Sequence, residues 1–213
     1  GQTSGPSLWA WAHAAGFHTV YIDAQLARGH LQNGMTLGER SEIDELVQLG
    51  DAPILERDAR AASALAALAR DDRRSFVLVN KWGSHFPFAR NYPPDAAHFQ
   101  PAMASDEPIG ADRPGLLNAY RNSVRWTTDR FFELLLAGDL GSSVLLYTSD
   151  HGQNLLDRGV VTHCSSTDPY PLEGVVPLLV LAGPPVLRER FAAAAARKLD
   201  RASHFEIFPT VLE

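Results

Sequence analysis

Short apolar runs alternate with amphipathic stretches along this chain, and that alternation leaves few folds open. The sharpest run is Ser75–Asn80 (SFVLVN), continuously apolar and bounded by charge. A strand buried on both faces reads this way, and such strands belong to parallel sheets. His18–Asp23 (HTVYID), Ser143–Thr148 (SVLLYT) and Pro177–Ala182 (PLLVLA) read as further strands. Between them the spacing predicts helices over 6–15, 41–49, 57–70, 114–137 and 186–200, with a last short one after Ser203. Gly16 stops the first, and Ser41 is the expected N-cap of the second. Pro114 opens the fourth and Gly138 closes it, while Ser203 and Glu206 form a capping box for the last. Residues 82–113 carry Pro87, Pro93, Pro94, Pro101 and Pro108 and read as a long loop. Loops of that length are usually functional or disordered.

Strands alternating with helices predict an α/β fold, here a three-layer α/β/α sandwich around a mostly parallel sheet. With 213 residues and no linker, residues 1–213 read as a single domain. The chain starts at Gly1 rather than Met, opens directly on a helix and closes without a final strand. Both ends are therefore expected to be trimmed.

Composition removes several function classes. Nineteen basic residues against 25 acidic ones leave a net charge of −6, which argues against a nucleic-acid partner. The single cysteine, Cys164, excludes an intrachain disulfide framework. No apolar run approaches the roughly 20 residues that cross a bilayer. The chain itself is expected to be soluble, and any membrane anchor would lie in a segment outside it.

In open α/β sheets, ligands bind beyond the carboxyl ends of the strands. Two of the expected strands end there in polar, histidine-bearing turns: Asn80 to His85 (NKWGSH) and Thr148 to Gly152 (TSDHG). Parallel neighbours would bring both turns to one edge. Asp150 and His151 are consecutive, so they share a face only where the backbone turns, and Gly152 permits such a turn. An oxygen and a nitrogen donor side by side suit Zn²⁺ or Mn²⁺. His163 follows twelve residues later and can join the metal or bond an anionic substrate. His85 can do the same from the other turn, and Lys81 can offset negative charge on that substrate.

Plainer readings stand beside these. An isolated Asp-His-Gly is usually a metal-free loop, His85 a backbone-capping histidine and Lys81 a solvent-facing or ion-paired cation. Cys164 reads as a small, partly buried residue. His13, His18, His30, His98 and His204 read as structural or exposed, with His98 placed to line a cleft in the Pro-rich loop. Asp23 ends a strand near the same edge, where a loop or cap role is at least as good.

Six segments together resemble the sulfatase family of the alkaline-phosphatase superfamily, nearest its phosphoethanolamine transferase branch. They are LWAWAHAAGFHTVYIDAQ from Leu8, FVLVNKWGSHFPF from Phe76, NAYRNSVRWTTDRFF from Asn118, LLYTSDHGQNLLDRGVVTH from Leu145, VVPLLVL from Val175 and SHFEIFPTVL from Ser203. No single piece is specific, but their order and spacing cover nearly the whole chain. The resemblance implies an alkaline-phosphatase-like fold. It implies that Asp150 and His151 are metal ligands, with Zn or Mn first and Ca or Mg as further options. It implies that His163 and His85 line the phosphoryl site. Asn122, Ser123 and Asp129 match the family's Asn-Ser…Asp helix, read as structural, and Arg121 stands where Asp is common.

The family's acidic first-strand ligand and its nucleophile lie upstream of the LWAWAHAAG helix. Only seven residues precede Leu8; Thr3 and Ser4 have no nucleophile context, and Cys164 is misplaced for a sulfatase formylglycine. The chain thus resembles the C-terminal part of a catalytic domain, expected to bind metal poorly and not to turn over by itself. The implied parent transfers a phosphoethanolamine-type group from a phospholipid donor to a glycan or lipid A acceptor, through a covalent phospho-enzyme. It would be tethered to the periplasmic face of the inner membrane. A sulfatase or phosphodiesterase acting on phospho- or sulfo-esters is the alternative enzyme. A non-catalytic domain binding an anionic glycan or lipid head group is the alternative of another class.

Overall fold

β-Branched and aromatic residues in HTVYID favour a strand, and they form the buried centre of a sheet. The structure is a computed structural model describing residues 5–32, 34–107, 112–157, 159, 161–163 and 170–213. Thr3, Ser4, Pro108, Cys164 and Ser165 lie outside the described residues. In chain order the elements are α1 (Leu8–Ala14), β1 (His18–Asp23), α2 (Leu37–Ser41), β2 (Glu45–Gln48), α3 (Ile54–Ala69), β3 (Ser75–Asn80), α4 (Arg113–Val124), α5 (Arg130–Leu135), β4 (Val144–Thr148), β5 (Asn154–Leu155), β6 (Val161–Thr162), β7 (Leu178–Ala182), α6 (Pro185–Lys198) and α7 (Ile207–Leu212).

Three strands run parallel in the order β2-β1-β3, with Val20 opposite Glu45 and Val77, and Asp23 opposite Gln48 and Asn80. The period of two then sorts the side chains. Val20 and Ile22, with Val77 and Val79 beside them, face Ala61, Ala62, Leu65 and Ala66 of α3 and Phe131 and Leu135 of α5. The alanines let α3 lie close on the sheet. Tyr21 faces the other way, onto Trp9 of α1 and Ile43, and the Trp9 ring meets Tyr21 at 5.7 Å and Phe76 at 5.3 Å. Helix, sheet and helix form the three expected layers of the α/β fold.

Three expectations change. Residues 41–49 are not a helix capped by Ser41. The helix is α2, five residues earlier, capped by Thr36 in a full capping box with Glu39. Glu45–Gln48 instead pairs with β1, and Asp44 ties its start there by accepting from Thr19 N at 2.9 Å. Strand pairing overrides local helix propensity at this point. Second, the expected 114–137 helix is α4, a π turn over 125–129, and α5. Third, β4 is paired with β7 antiparallel, Val144 opposite Ala182, in a two-stranded sheet of its own beside the parallel one. A parallel return needs a crossover, usually a helix. Among the described residues the span between β4 and β7 holds only the β5–β6 hairpin and a short 3₁₀ turn. Leu145 of β4 packs on the same core as Val77 and Val79, although β3 and β4 share no ladder among the described residues.

The Pro-rich loop is ordered over its described residues. Phe88 and Met103 build a second core with Leu116 and Ala119 of α4 and Leu155. No helix among the described residues is long and apolar enough to cross a membrane.

Candidate functional site

Two turns carry the chemistry. The first leaves β3. Asp58 of α3, only 7% exposed, accepts Trp82 N at 2.7 Å and Gly83 N at 3.0 Å. Gly83 takes φ +69°, a left-handed conformation that glycine adopts without a Cβ penalty. Asn91, also buried, accepts Trp82 Nε1 at 3.0 Å and donates to the His85 carbonyl. Ser84 Oγ lies 3.3 Å from Thr127 Oγ1 in the π turn. The His85 imidazole meets the Trp82 ring edge-on at 4.8 Å, and no hydrogen bond holds its ring nitrogens among the described residues. Crowding by the surrounding protein pushes this imidazole below its ordinary pKa. The Asp150 carboxylate opposes that shift, while His151 and His163 add to it. His85 is thus within electrostatic reach of all three.

Lys81 sits in the same turn with its ammonium directed into protein. Nζ donates to the Thr127 carbonyl at 2.7 Å, stands 3.9 Å from the Asp58 carboxylate and lies over the Phe131 and Tyr147 rings. Burial lowers its pKa to about 8, against the pull of Asp58. Burial also raises that of Asp58, with Lys81 opposing.

The second turn leaves β4. His151 N and Ser149 Oγ both donate to Asp150 Oδ1, at 3.1 and 3.3 Å. The Asp150 side chain is 80% exposed, and its Oδ2 lies 3.7 Å from His151 Nε2. His151 Nδ1 lies 2.8 Å from the Gly152 carbonyl. A carbonyl only accepts, so Nδ1 carries the proton and Nε2 offers its lone pair beside Asp150. His163 stacks on His151, with centroids 3.6 Å apart and planes at 18°.

Gly152 has a different reason from the one expected. It does not adopt a positive φ. Another chain segment runs against it: a Cβ here would stand 2.0 Å from Leu172 O and 2.9 Å from Val175 O, and Gly152 N donates to Glu173 O at 2.7 Å. Gly152→Ala is therefore expected to cost about 1–3 kcal/mol as overpacking, read by urea unfolding. It should also shift the His151 resonances. Wild-type stability in that variant would show that the 171–175 segment yields freely.

Of the five expected site residues, Asp150, His151 and His163 stand together, and His85 is within electrostatic reach of all three. Lys81 lies behind them. Sequence reasoning missed Asp58, Asn91 and Thr127, which hold the first turn. For Asp58 a signal existed, because it shares the apolar stripe of α3 with Ala61, Ala62 and Leu65. Asp23 takes the loop role: it is buried and accepts from Gln25 N, Leu26 N and Asn80 Nδ2. Asn122 braces the Pro-rich loop through His98 N and Phe99 N, and Ser123 receives Asn91. Asp129 and His98 line a separate cleft of about 440 Å³ with Arg125, Trp126 and Arg130, to which none of the four contributes. His13 pairs with Glu42, and His204 with Thr148.

The donor chemistry of Asp150 and His151 fits half a metal site. Zn²⁺ takes three protein ligands even where one position stays open. Among the described residues no third His, Cys, Asp or Glu converges with this pair. His163 does not supply it in this pose. An imidazole binds a metal in its ring plane, and two stacked rings present parallel planes.

The sulfatase family profile matches residues 2–213. Phosphoethanolamine transferase EptA of Salmonella typhimurium is 32% identical over 92 residues, covering 41% of this chain and 17% of that protein. Among solved structures, the C-terminal periplasmic domain of EcEptC from Escherichia coli, in complex with Zn, aligns with TM-score 0.67 at 18% identity. That alignment covers 84% of this chain and 52% of the other. The soluble domain of lipooligosaccharide phosphoethanolamine transferase A from Neisseria meningitidis aligns with TM-score 0.59 at 19% identity, over 84% and 54%. The chain thus spans a small part of its curated relative and about half of each solved chain. The solved structures share the fold, and the profile covers almost every residue, so this chain belongs to the sulfatase family.

Proposed function

We propose that the whole protein is a metal-dependent transferase, moving a phosphoethanolamine-type group from a phospholipid to a hydroxyl of a glycan or lipid A-type acceptor. The observation that carries this is the cluster of Asp150, His151 and His163, with His85 within electrostatic reach of it. The relatives' names as transferases, and the periplasmic origin of the EcEptC domain, support the reaction class and a periplasmic, membrane-tethered setting.

In this reading Asp150 and His151 would supply two of the ligands to a divalent ion, Zn or Mn first, and a Zn complex of a fold relative supports zinc. The chemistry such an ion supplies when bound is charge, lowering the pKa of an attacking hydroxyl and stabilising phosphoryl oxygens. His85, whose ring nitrogens make no hydrogen bond among the described residues, turns one N–H towards a phosphoryl oxygen. His163 flanks the same oxygens, and one of the two imidazoles protonates the leaving group. No hydroxyl of this chain is assigned as the nucleophile, so the 213 residues alone are expected to show no turnover.

The test is transfer from phosphatidylethanolamine by the whole protein, before and after chelation and on return of Zn²⁺ or Mn²⁺. Loss on chelation with recovery on either metal is expected. Binding of the lipid head group that ignores chelation, with no transfer, would instead identify a non-catalytic anion-binding domain. Release of the group to water alone would identify a hydrolase.

A further inference from the structure

Nearly every polar group of the turn after β3 is committed to another element, and among the described residues the imidazole at its end is not. The main chain is clamped from α3 by Asp58, whose two oxygens take the successive N–H groups of Trp82 and Gly83. The Trp82 side chain is held twice, by Asn91 on its Nε1 and by the Arg57 guanidinium 4.8 Å over its ring. Ser84 leans on the π turn through Thr127, and the His85 carbonyl takes Asn91. Lys81 closes the set, bridging Asp58 to the Thr127 carbonyl.

A buried ion pair is a weak device for stability alone, because desolvation offsets much of its Coulomb gain. Its geometric consequence here is direction. Two adjacent N–H groups bound by one rigid carboxylate set the orientation of the chain at the left-handed Gly83, two residues before His85. Groups that orient a functional side chain from behind are worth about 10–100-fold where such effects are measured at metal sites.

We propose that Asp58 is a positioning residue for His85, with Lys81 as its counter-ion, so that the imidazole stands facing Asp150, His151 and His163. This rests on the reading of the site given above. It assigns Lys81 to the support of the turn rather than to the substrate.

The test uses Asp58→Asn and the pair Asp58→Asn with Lys81→Met, which removes both charges and keeps the fold within reach. The first readout is the His85 ring resonance in the ¹³C-histidine-labelled chain. The second is transfer by the whole protein, for each variant in wild-type and His85→Ala backgrounds. The expected result is a displaced His85 resonance and a 10–100-fold rate loss that shrinks below twofold when His85 is already Ala. The melting temperature should fall equally in both backgrounds. An unmoved His85 resonance overturns this proposal alone. An equal rate loss in both backgrounds overturns it as well, leaving Asp58 a structural residue. Wild-type rate in His85→Ala overturns the reading of the site and this proposal together.

Discussion

His151→Ala is expected to lower phosphoethanolamine transfer by the whole protein about 10³-fold or more. The imidazole is fixed by the Gly152 carbonyl, so Nε2 is the one in-plane nitrogen it presents beside Asp150. Without it the edge keeps a single carboxylate oxygen, and an oxygen alone holds a borderline-soft ion poorly. Charge stabilisation of a phosphoryl group by a bound metal is worth several kcal/mol, and each 1.36 kcal/mol is tenfold in rate. Asp150→Asn should act in the same direction with a smaller loss, since an amide oxygen still donates a lone pair but brings no charge. Zn²⁺ titration calorimetry should show the weakened binding in step with the rate. His13→Ala serves as the control and should stay within twofold, because His13 only pairs with Glu42 at the surface. A loss below tenfold for His151→Ala would sink the assignment of this pair.

Asp58→Ala should cost about 3–5 kcal/mol at neutral pH, the usual result of stranding a buried charge. Lys81 would then keep its burial and the Thr127 carbonyl but lose its counter-ion, and two backbone N–H groups would lose their acceptor. The pH dependence has a definite sign. Lys81 titrates at about 8 in the fold and at 10.5 when unfolded. Between those values the unfolded chain binds a proton that the folded one does not, so the stability contributed by Lys81 rises with pH. The penalty in Asp58→Ala should therefore shrink from pH 7 to pH 10. Lys81→Met, with nothing to titrate, should lack that alkaline rise. Urea unfolding of the three chains at pH 7, 8.5 and 10 measures it. A penalty that grows with pH would mean that Lys81 is not the group left stranded.

Local pattern was a good guide wherever a single element decided the outcome. SFVLVN and HTVYID form strands with the expected ends, because short runs rich in β-branched and aromatic residues favour the extended backbone. The Ser203–Glu206 capping box and the Pro114 helix start also formed. The histidine turns lay where strand ends predict them. Prediction failed where a distant partner decided. Glu45–Gln48 carries two apolar residues in four and is a strand only because β1 offers it a free edge. The π turn that gives Thr127 to Lys81 and Ser84 has no local signature in RWTTD.

By itself, then, the sequence determined the α/β class, the positions of β1 and β3, and the two histidine-bearing turns at strand ends. Periodicity and residue chemistry are local properties, and both are legible one segment at a time. Only the tertiary structure decided what those turns face and what holds them. It turned the Lys81 ammonium inward onto Asp58 and Thr127 and set the Asp58 carboxylate under the turn that aims His85. It also laid the His163 ring flat on His151, and it ran the backbone of Leu172 against Gly152. Each of these joins residues more than ten positions apart, and such contacts depend on how whole elements pack, which no local pattern encodes.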